Sequence, residues 1–475
     1  MFLLSLALAS PHKEHAELRL GQELRAAPTP PTEAAEFGEA HTWVYGYLPY
    51  WVDVEPEWSG LTHLAFFNVD LAADGSIEDS WRWDEVAPDL VPRAHEHGVK
   101  VHLTLTCFDD AVMEAVLPSP AKRARAIGEL KELVDAYDAD GVSVDCEGMP
   151  SSLKGDLVDF VAELSEAVDE VTVATPAIDW SGAYDYDALA AASDALFIMG
   201  YGYHWSGSDP GPVAPLYGGD PWSKYSLEWT VQDYLSNGAP PEKIILGLPL
   251  YGRIWPTTDS SVPGSATGSS DAVVMSTGMS WGLERYDAVT ETPYSLPSEQ
   301  EQLWLDDHDS VLTRIRWTVD QGLLGTGFWA LGYEAAAPDF WYGVKEETRA
   351  PGPNPLVEAN AGEDFMAYTG QTVELNGTGV GEGELSYAWV RVSGPPAELN
   401  DPNTQNPQFT PDQPGTYTFE LAVSSDAGES SLPDAVSVVV VHTDAGTVNT
   451  GGRCTTGPGP SWALGALLGL LALRR

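Results

Sequence analysis

The fold of this chain is constrained most by a regular alternation of short apolar runs and amphipathic helical stretches between about residues 43 and 345. Alternating strands and helices imply a parallel sheet with helical crossovers. Eight such units fit a closed (β/α)8 TIM barrel better than an open sheet. An open doubly wound sheet is the alternative, but no Gly-rich phosphate loop follows the first run. The predicted strands are 43–47, 61–69, 99–106, 141–147, 171–176, 195–201, 243–249 and 325–329.

A second domain is indicated beyond the barrel, which we assign to residues 43–348. The composition changes at 349–355, where Pro and Gly cluster as in a linker. Residues 356–442 then contain short β-rich runs separated by turn residues, which predicts a small all-β sandwich of immunoglobulin-like size. This stretch resembles a PKD-type immunoglobulin-like domain in its ANAGED run at 359–364, YAW at 387–389 and PGTY at 414–417. The resemblance implies that these Trp and Tyr side chains belong to the core.

The N-terminal end predicts export. Residues 1–10 form a short apolar run that ends in a small-x-small pattern, Ala7-Leu8-Ala9, as a signal peptide does, although the basic start of such a peptide is missing. Residues 11–42 are polar and contain Pro and Ala, which favours a linker.

The C-terminal end predicts surface display. In residues 443–475 a Gly/Thr/Asn spacer precedes Cys454, an uncharged run from 462 to 473 and two terminal arginines. The run is short for a membrane span, which needs about 17–25 residues. The tail resembles a MYXO-CTERM sorting tail. The resemblance implies processing at Cys454 and a tail that engages the membrane or a sorting machinery.

The charge of the chain excludes several partners. The formal net charge is −48, with only 23 Lys and Arg, whereas nucleic acid binding needs basic patches. An anionic membrane surface is disfavoured for the same reason. The three cysteines make no disulfide framework, and no pair of them has metal-ligand spacing. The oligomeric state is left open.

The chemistry of the chain is concentrated on the fourth predicted strand, DGVSVDCE at 140–147. Because side chains alternate along a strand, Ser143, Asp145 and Glu147 share one face and the apolar residues share the other. In a barrel the polar face points to the axis, and the strand's C-terminal end is where active sites are built. Neighbouring carboxylates raise each other's pKa, so a protonated Glu147 can donate to a glycosidic oxygen while an ionised Asp145 stabilises positive charge. The alternative is a structural pair of acids with a cationic partner, for which Arg253 is the candidate.

The motif DGxxxDxE on this strand resembles glycoside hydrolase family 18, the family of chitinases and N-acetylglucosaminidases. Four other strands agree in the same order: YGYLPYW at 45–51, IMGY at 198–201, LGLPLYGR at 246–253 and GFWALG at 327–332. The runs EGMP at 147–150 and WLDD at 304–307 look closer to the spore-cortex and peptidoglycan-cleaving branch than to large chitinases.

This resemblance implies a retaining, substrate-assisted cleavage of β-1,4-linked N-acetylglucosamine polymers, peptidoglycan or chitin. By resemblance Glu147 is the acid, Asp145 orients the acetamido group and stabilises the oxazolinium ion, and Tyr201 donates a hydrogen bond to the acetamido carbonyl. Trp329 forms the floor of the −1 subsite, and no metal or organic cofactor is needed. The remaining candidate lining residues, for some of which barrel packing is an equal interpretation, are Tyr47, Trp51, Tyr251 and Arg253.

Two positions depart from the family pattern. Ser143 stands where the family usually has an Asp that tunes Asp145, and Gly202 stands where it usually has an Asp near the cleavage point. An inactive, glycan-binding barrel is therefore the alternative function, although such relatives usually lose the acid and Glu147 is present. A third possibility is a surface adhesion protein in which the sandwich domain and tail matter most.

Overall fold

In the computed structural model the described residues are 11–21, 40–334, 337–349, 357–362, 364–381, 385–425, 431 and 433–441. The chain divides into two compact units, 1–354 and 355–475. The segment 1–10 and the tail 443–475, on which the export and sorting predictions rest, lie outside the described residues. None of the described helices has the length and apolarity to cross a membrane.

The first unit is a (β/α)8 barrel, as the sequence predicts. Its parallel strands run in the order β1, β2, β4, β5, β6, β7, β8 and β14, and a β14–β1 pairing closes the ring. The predicted strands agree with these eight to within two residues at each end. The strands of this unit are β1 Trp43–Pro49, β2 His63–Leu71, β3 Ile77–Asp79, β4 Lys100–Cys107, β5 Gly141–Cys146, β6 Glu170–Pro176, β7 Ala195–Met199, β8 Ile244–Pro249, β9 Tyr251–Pro256, β10 Asp271–Val274, β11 Arg285–Asp287, β12 Thr292–Ser298, β13 Glu301–Trp304 and β14 Gly325–Trp329.

Helices separate most of the barrel strands and bury an apolar face against them. The fourth helix shows the local signals clearly, since Ser119 precedes it, Pro120 opens it and its buried side chains recur at helical spacing. The helices are α1 Pro11–Leu18, α2 Trp83–Glu96, α3 Asp110–Val116, α4 Pro120–Asp135, α5 Lys154–Ser165, α6 Tyr186–Ala192, α7 Leu227–Ser236, α8 Met275–Ser280, α9 His308–Asp320 and α10 Pro338–Thr348.

An inserted sheet lies between β8 and α9. The five strands β9–β13 form an antiparallel sheet in the order β10-β9-β13-β12-β11. The sequence signals assign no structure to this region, residues 256–305. Strand β9 follows β8 directly, so the insertion places Tyr251 and Arg253 beside the C-terminal end of the barrel.

Helix α1 corrects one sequence prediction. Residues 11–18 belong to the stretch 11–42 that we assigned to a polar linker, yet they form a helix with two buried histidines, His12 and His15. Composition favoured a linker because the helix has little apolar surface of its own. Its burial comes from contacts with the barrel.

One disulfide joins adjacent barrel strands. Cys107 ends β4 and Cys146 ends β5, the two residues are register partners, and their sulfur atoms are bonded. The sequence indicated no pairing because spacing alone does not show which strands become neighbours. The bridge ties the strand that precedes Glu147 to its neighbour.

The second unit is a small β-sandwich, again as predicted. Its core contains Trp389, Tyr417 and Phe409, in agreement with the core roles expected for Trp389 and Tyr417, while Tyr387 is half-buried against this core. Its four-stranded sheet has the order β16-β22-β21-β19, and two further strand pairs are β15–β18 and β17–β20. The strands are β15 Glu358–Asn360, β16 Phe365–Tyr368, β17 Val373–Glu374, β18 Thr378–Val380, β19 Leu385–Ser393, β20 Gln408–Phe409, β21 Gly415–Ser425 and β22 Asp434–Val441.

Candidate active site

Strand β5 carries the paired acids into the barrel. Ser143 and Asp145 are fully buried, and Glu147, one residue beyond the strand, is 9 % exposed. The backbone N–H of Glu147 donates to the carbonyl of Cys107 at 3.2 Å, which fixes the strand end against β4. Strand β5 packs closely against β6 at Gly141, where a Cβ atom would lie 2.2 Å from the carbonyl oxygen of Glu170. The acids therefore project at the C-terminal mouth from a rigid strand.

Trp329, the last residue of β14, forms an aromatic floor beside these acids. Its side chain is fully buried, and Phe67 packs edge-on against it with ring centroids 4.9 Å apart. Trp51 and Tyr47 surround the same indole at 6.3 and 5.8 Å. The hydroxyl of Tyr47 lies 2.8 Å from Ser143 Oγ, which connects the floor to the acid-bearing strand.

Tyr201 and Tyr251 close the opposite side, with ring centroids 6.1 Å apart. Arg253 is 1 % exposed, and its Nη1 donates to Ser270 Oγ at 3.3 Å. Its ion pair is with Glu14 of α1. The possibility that Arg253 is the cationic partner of Asp145 therefore finds no support in these contacts.

Helix α1 occupies the space between the acids and the floor. The His12 imidazole stacks on the Trp329 indole at a centroid distance of 3.8 Å and an interplanar angle of 25°. His12 Nδ1 lies 2.6 Å from Asp145 Oδ2, and His12 Nε2 lies 2.5 Å from the Tyr201 hydroxyl. With the carboxylate as acceptor, Nδ1–H donates to Asp145 and Tyr201 donates to Nε2, an assignment that follows from the hydrogen-bond partners. The site thus contacts the His12 imidazole through its flat face and through both ring nitrogens.

Other contacts of α1 and the turn after it spread across the mouth. The Trp329 indole N–H donates to His15 Nδ1 at 2.8 Å, and the His15 ring packs edge-on against Tyr251 at 4.4 Å. The Trp51 indole N–H donates to the carbonyl of Leu20 at 2.7 Å. All eight residues predicted for the site thus lie around one mouth, and most of them contact this helix.

Burial controls the protonation of this cluster. It raises the pKa of Asp145 well above its usual range and keeps the Tyr201 hydroxyl protonated by raising its pKa as well. Burial lowers the pKa of His12 to about 4, although the charge of Glu147 works in the opposite direction. The sequence predicts Asp145 as the ionised member of the pair. Burial opposes this ionised form.

At the Ser143 departure the strand has no acid two residues before Asp145. The Ser143 hydroxyl bonds to Tyr47, and Asp145 Oδ1 is buried with no hydrogen-bond partner among the described residues. At the other departure, Gly202 has φ +79°, a left-handed conformation in which an Asp would be strained.

The sequence matches a family model for glycosyl hydrolases family 18 over residues 43–334, more than half of the chain. The chain belongs to glycosyl hydrolase family 18. Residues 361–440 match a family model for a PKD domain, in agreement with the β-sandwich of the second unit.

Curated relatives of this family 18 chain include a glycosylase and a lytic enzyme of Bacillus species. It is 27 % identical over 245 residues to a putative sporulation-specific glycosylase, YdhD, of Bacillus subtilis, a match that covers 48 % of this chain and 56 % of the relative. It is 22 % identical over 298 residues to a cortical fragment-lytic enzyme of Bacillus anthracis, covering 57 % and 65 %. The chain therefore spans less than two thirds of the length of both relatives.

Solved structures share the family 18 fold. A chitinase from Cycas revoluta in complex with (GlcNAc)3 has a TM-score of 0.57 and 22 % identity, over 64 % of this chain and 99 % of that one. A chitinase-like agglutinin from Robinia pseudoacacia has a TM-score of 0.57 and 18 % identity, over 64 % and 98 %. Enzymes and a lectin-like protein thus share this fold, so the fold alone does not decide the activity.

Two clusters in the described part of this family 18 barrel have side chains of the kind that bind cations. In the first, His12, Asp145 and Glu147 approach one another, but His12 Nδ1 already makes its short hydrogen bond to Asp145. In the second, at the opposite end of the barrel, His63 and His102 surround Glu170. There Lys100 Nζ lies 3.2 Å from both Glu170 oxygens. These contacts suit a hydrogen-bonded ion-pair network.

Sequence reasoning missed several residues that lie at the mouth. His12 and His15 are three residues apart on α1, a spacing that puts both on one helix face and was the available signal. Tyr184 donates to the carbonyl of Cys146 at 2.6 Å and supports the strand end beside Glu147. In contrast, the WLDD run is explained by packing, since Asp306 pairs with Arg314 at 2.9 Å and the next residue caps α9.

Proposed function

We propose that this chain hydrolyses β-1,4-linked N-acetylglucosamine polymers by a retaining, substrate-assisted mechanism with Glu147 as the acid. One observation carries the proposal. The His12 imidazole lies flat on Trp329, and its two nitrogens form hydrogen bonds with Asp145 and Tyr201. Glu147 Oε1 is 3.9 Å from Nδ1, the nitrogen that contacts Asp145. A sugar with an acetamido substituent requires an apolar face contact and polar edge contacts of this kind.

The steps of the proposed reaction use these side chains in turn. Glu147 protonates the glycosidic oxygen while the substrate's own acetamido carbonyl attacks the anomeric carbon. Tyr201 donates a hydrogen bond to that carbonyl, and Asp145 orients the acetamido N–H. As the oxazolinium ion forms, its positive charge lowers the pKa of Asp145 and favours the carboxylate. Glu147 then activates a water molecule, which opens the oxazolinium ring.

The substrate class follows from the family and the acetamido chemistry. Peptidoglycan and chitin both supply the required β-1,4-linked N-acetylglucosamine, and the relatives include a cortical fragment-lytic enzyme as well as probable chitinases. We favour peptidoglycan because the EGMP run after the acid looks closer to the spore-cortex branch. We further propose that the protein is exported and displayed at the cell surface, on the sequence of its two ends.

The test is release of reducing ends from purified peptidoglycan and from chitin oligomers by the full chain. Glu147→Gln keeps the size of the side chain and removes the acid, so we expect kcat to fall about 10²–10⁴-fold. The exposed Glu132→Gln on α4 is the matched control and should keep wild-type activity. Equal activity of Glu147→Gln and wild type would refute the assignment of the acid.

A glycan-binding barrel without activity is the second candidate. It is favoured by Ser143, which bonds to Tyr47 and stands where the family usually has an acid before Asp145. In that case chitin oligomers bind to wild type and to Glu147→Gln with equal affinity, and neither releases reducing ends.

A further inference from the structure

The first residues of the described chain fill the mouth that the proposed reaction needs. We name residues 11–21, which comprise α1 and the turn after it, the N-terminal plug. The His12 ring of the plug stacks on the Trp329 indole and contacts Asp145 and Tyr201, the groups that the proposed mechanism assigns to the substrate. A sugar ring and His12 cannot occupy this position together.

We propose that the N-terminal plug is an intramolecular competitive inhibitor of the barrel, so that the chain is active only when the plug leaves the mouth. This proposal rests on the proposed function, since it concerns regulation of the same site.

Contacts besides those of His12 hold the plug at separate points around the mouth. Glu14 pairs with the buried Arg253, and His15 accepts from the Trp329 indole N–H. The carbonyl of Leu20 accepts from the Trp51 indole N–H. These partners lie on strands β9 and β14 and just after β1, so the plug bridges the cleft rather than resting on one wall.

The helix itself depends on these contacts. It has eight residues, and isolated helices shorter than about 12 residues are marginal in water. Binding in the mouth and helix formation are therefore coupled, and the released segment has no reason to stay helical. Because the plug is part of the chain, its effective concentration is of millimolar order, which a free oligosaccharide must overcome.

Pure competition predicts a particular kinetic pattern. Weakening the plug lowers KM for a soluble chitin oligomer and leaves kcat unchanged, because the productive complex has no plug in either protein. We expect the full-length double variant His12→Ala/Glu14→Gln to have a KM at least tenfold below wild type. Leu18→Ala, on the same helix with its side chain 61 % exposed, is the matched control and should behave as wild type.

The decisive experiment combines these kinetics with a binding measurement that needs no hydrolysis. A labelled synthetic peptide of residues 10–21 is titrated into the double variant by fluorescence anisotropy, and chitotriose is added to displace it. Saturable binding of the peptide, displacement by chitotriose and the tenfold fall in KM would support the proposal.

Each of the other outcomes contradicts one of the two proposals. The proposal that the plug is an inhibitor would be overturned if the peptide did not bind to the double variant, or if KM were unchanged. A fall in kcat in the double variant would also overturn it, because His12 or Glu14 would then belong to the active machinery. Peptide binding without hydrolysis of any glycan by any variant would retain the plug and refute the proposed hydrolase function.

Discussion

Restoring an acid at position 143 should shift the acidic limb of the pH profile. In the structure Asp145 Oδ1 is buried without a hydrogen bond from the described residues, and burial raises the pKa of this carboxyl. A protonated Asp in place of Ser143, two residues away on the same strand face, can donate to that oxygen. A hydrogen bond to a charged group contributes about 1.5–3 kcal/mol, and one pKa unit corresponds to about 1.4 kcal/mol. Ser143→Asp should therefore lower the pKa of Asp145 by roughly one to two units.

The direction of the effect follows from the role of Asp145. A group that must be ionised in the free enzyme sets the acidic limb of kcat/KM, so a lower pKa moves that limb to lower pH. The assay is kcat/KM for a chitin oligomer from pH 3 to 8, measured in the His12→Ala/Glu14→Gln background so that His12 does not contact Asp145. The larger side chain crowds Tyr47, which costs about 1–3 kcal/mol of unfolding free energy and is checked by urea titration.

Ser143→Ala is the control, because the Ser143 hydroxyl bonds to Tyr47 and not to Asp145. Its acidic limb should coincide with that of the background protein. If Ser143→Ala shifts the limb as far as Ser143→Asp, or if Ser143→Asp moves it to higher pH, the reasoning about Asp145 is wrong.

Two stability predictions concern the barrel itself. Burial lowers the pKa of His63 from 6.5 to about 4, so the unfolded chain binds the proton first and the unfolding free energy falls as pH drops from 6.5 towards 4. Urea titrations should show that, from pH 7.5 to pH 5, the unfolding free energy falls by about 2 kcal/mol more in wild type than in His63→Gln. Equal falls in the two proteins would contradict this prediction. The disulfide Cys107–Cys146 closes a loop with a sequence separation of 39, so the double alanine variant should lose about 4 kcal/mol in the chain-entropy model. Thiol titration of the unreduced, unfolded wild type should detect only Cys454.

Local sequence signals determined the architecture. The eight barrel strands are buried apolar runs of strand length, and each lies within two residues of its predicted bounds. The polar face of β5 was also predictable, because side chains alternate along a strand whatever surrounds it. Trp389 and Tyr417 of the second domain likewise lie in its core. Such features depend on neighbours a few residues apart.

Only the tertiary structure decided what fills the mouth. His12 and Asp145 are 133 residues apart, and His12 and Tyr201 are 189 apart. Nothing in the composition of residues 11–18 indicates a binding site, because the helix is polar and owes its burial to the barrel around it. The pairing of Cys107 with Cys146 has the same origin, since it requires knowing that β4 and β5 are adjacent and in register. Local patterns therefore predict the barrel and its acids, whereas long-range packing places the N-terminal plug against those acids.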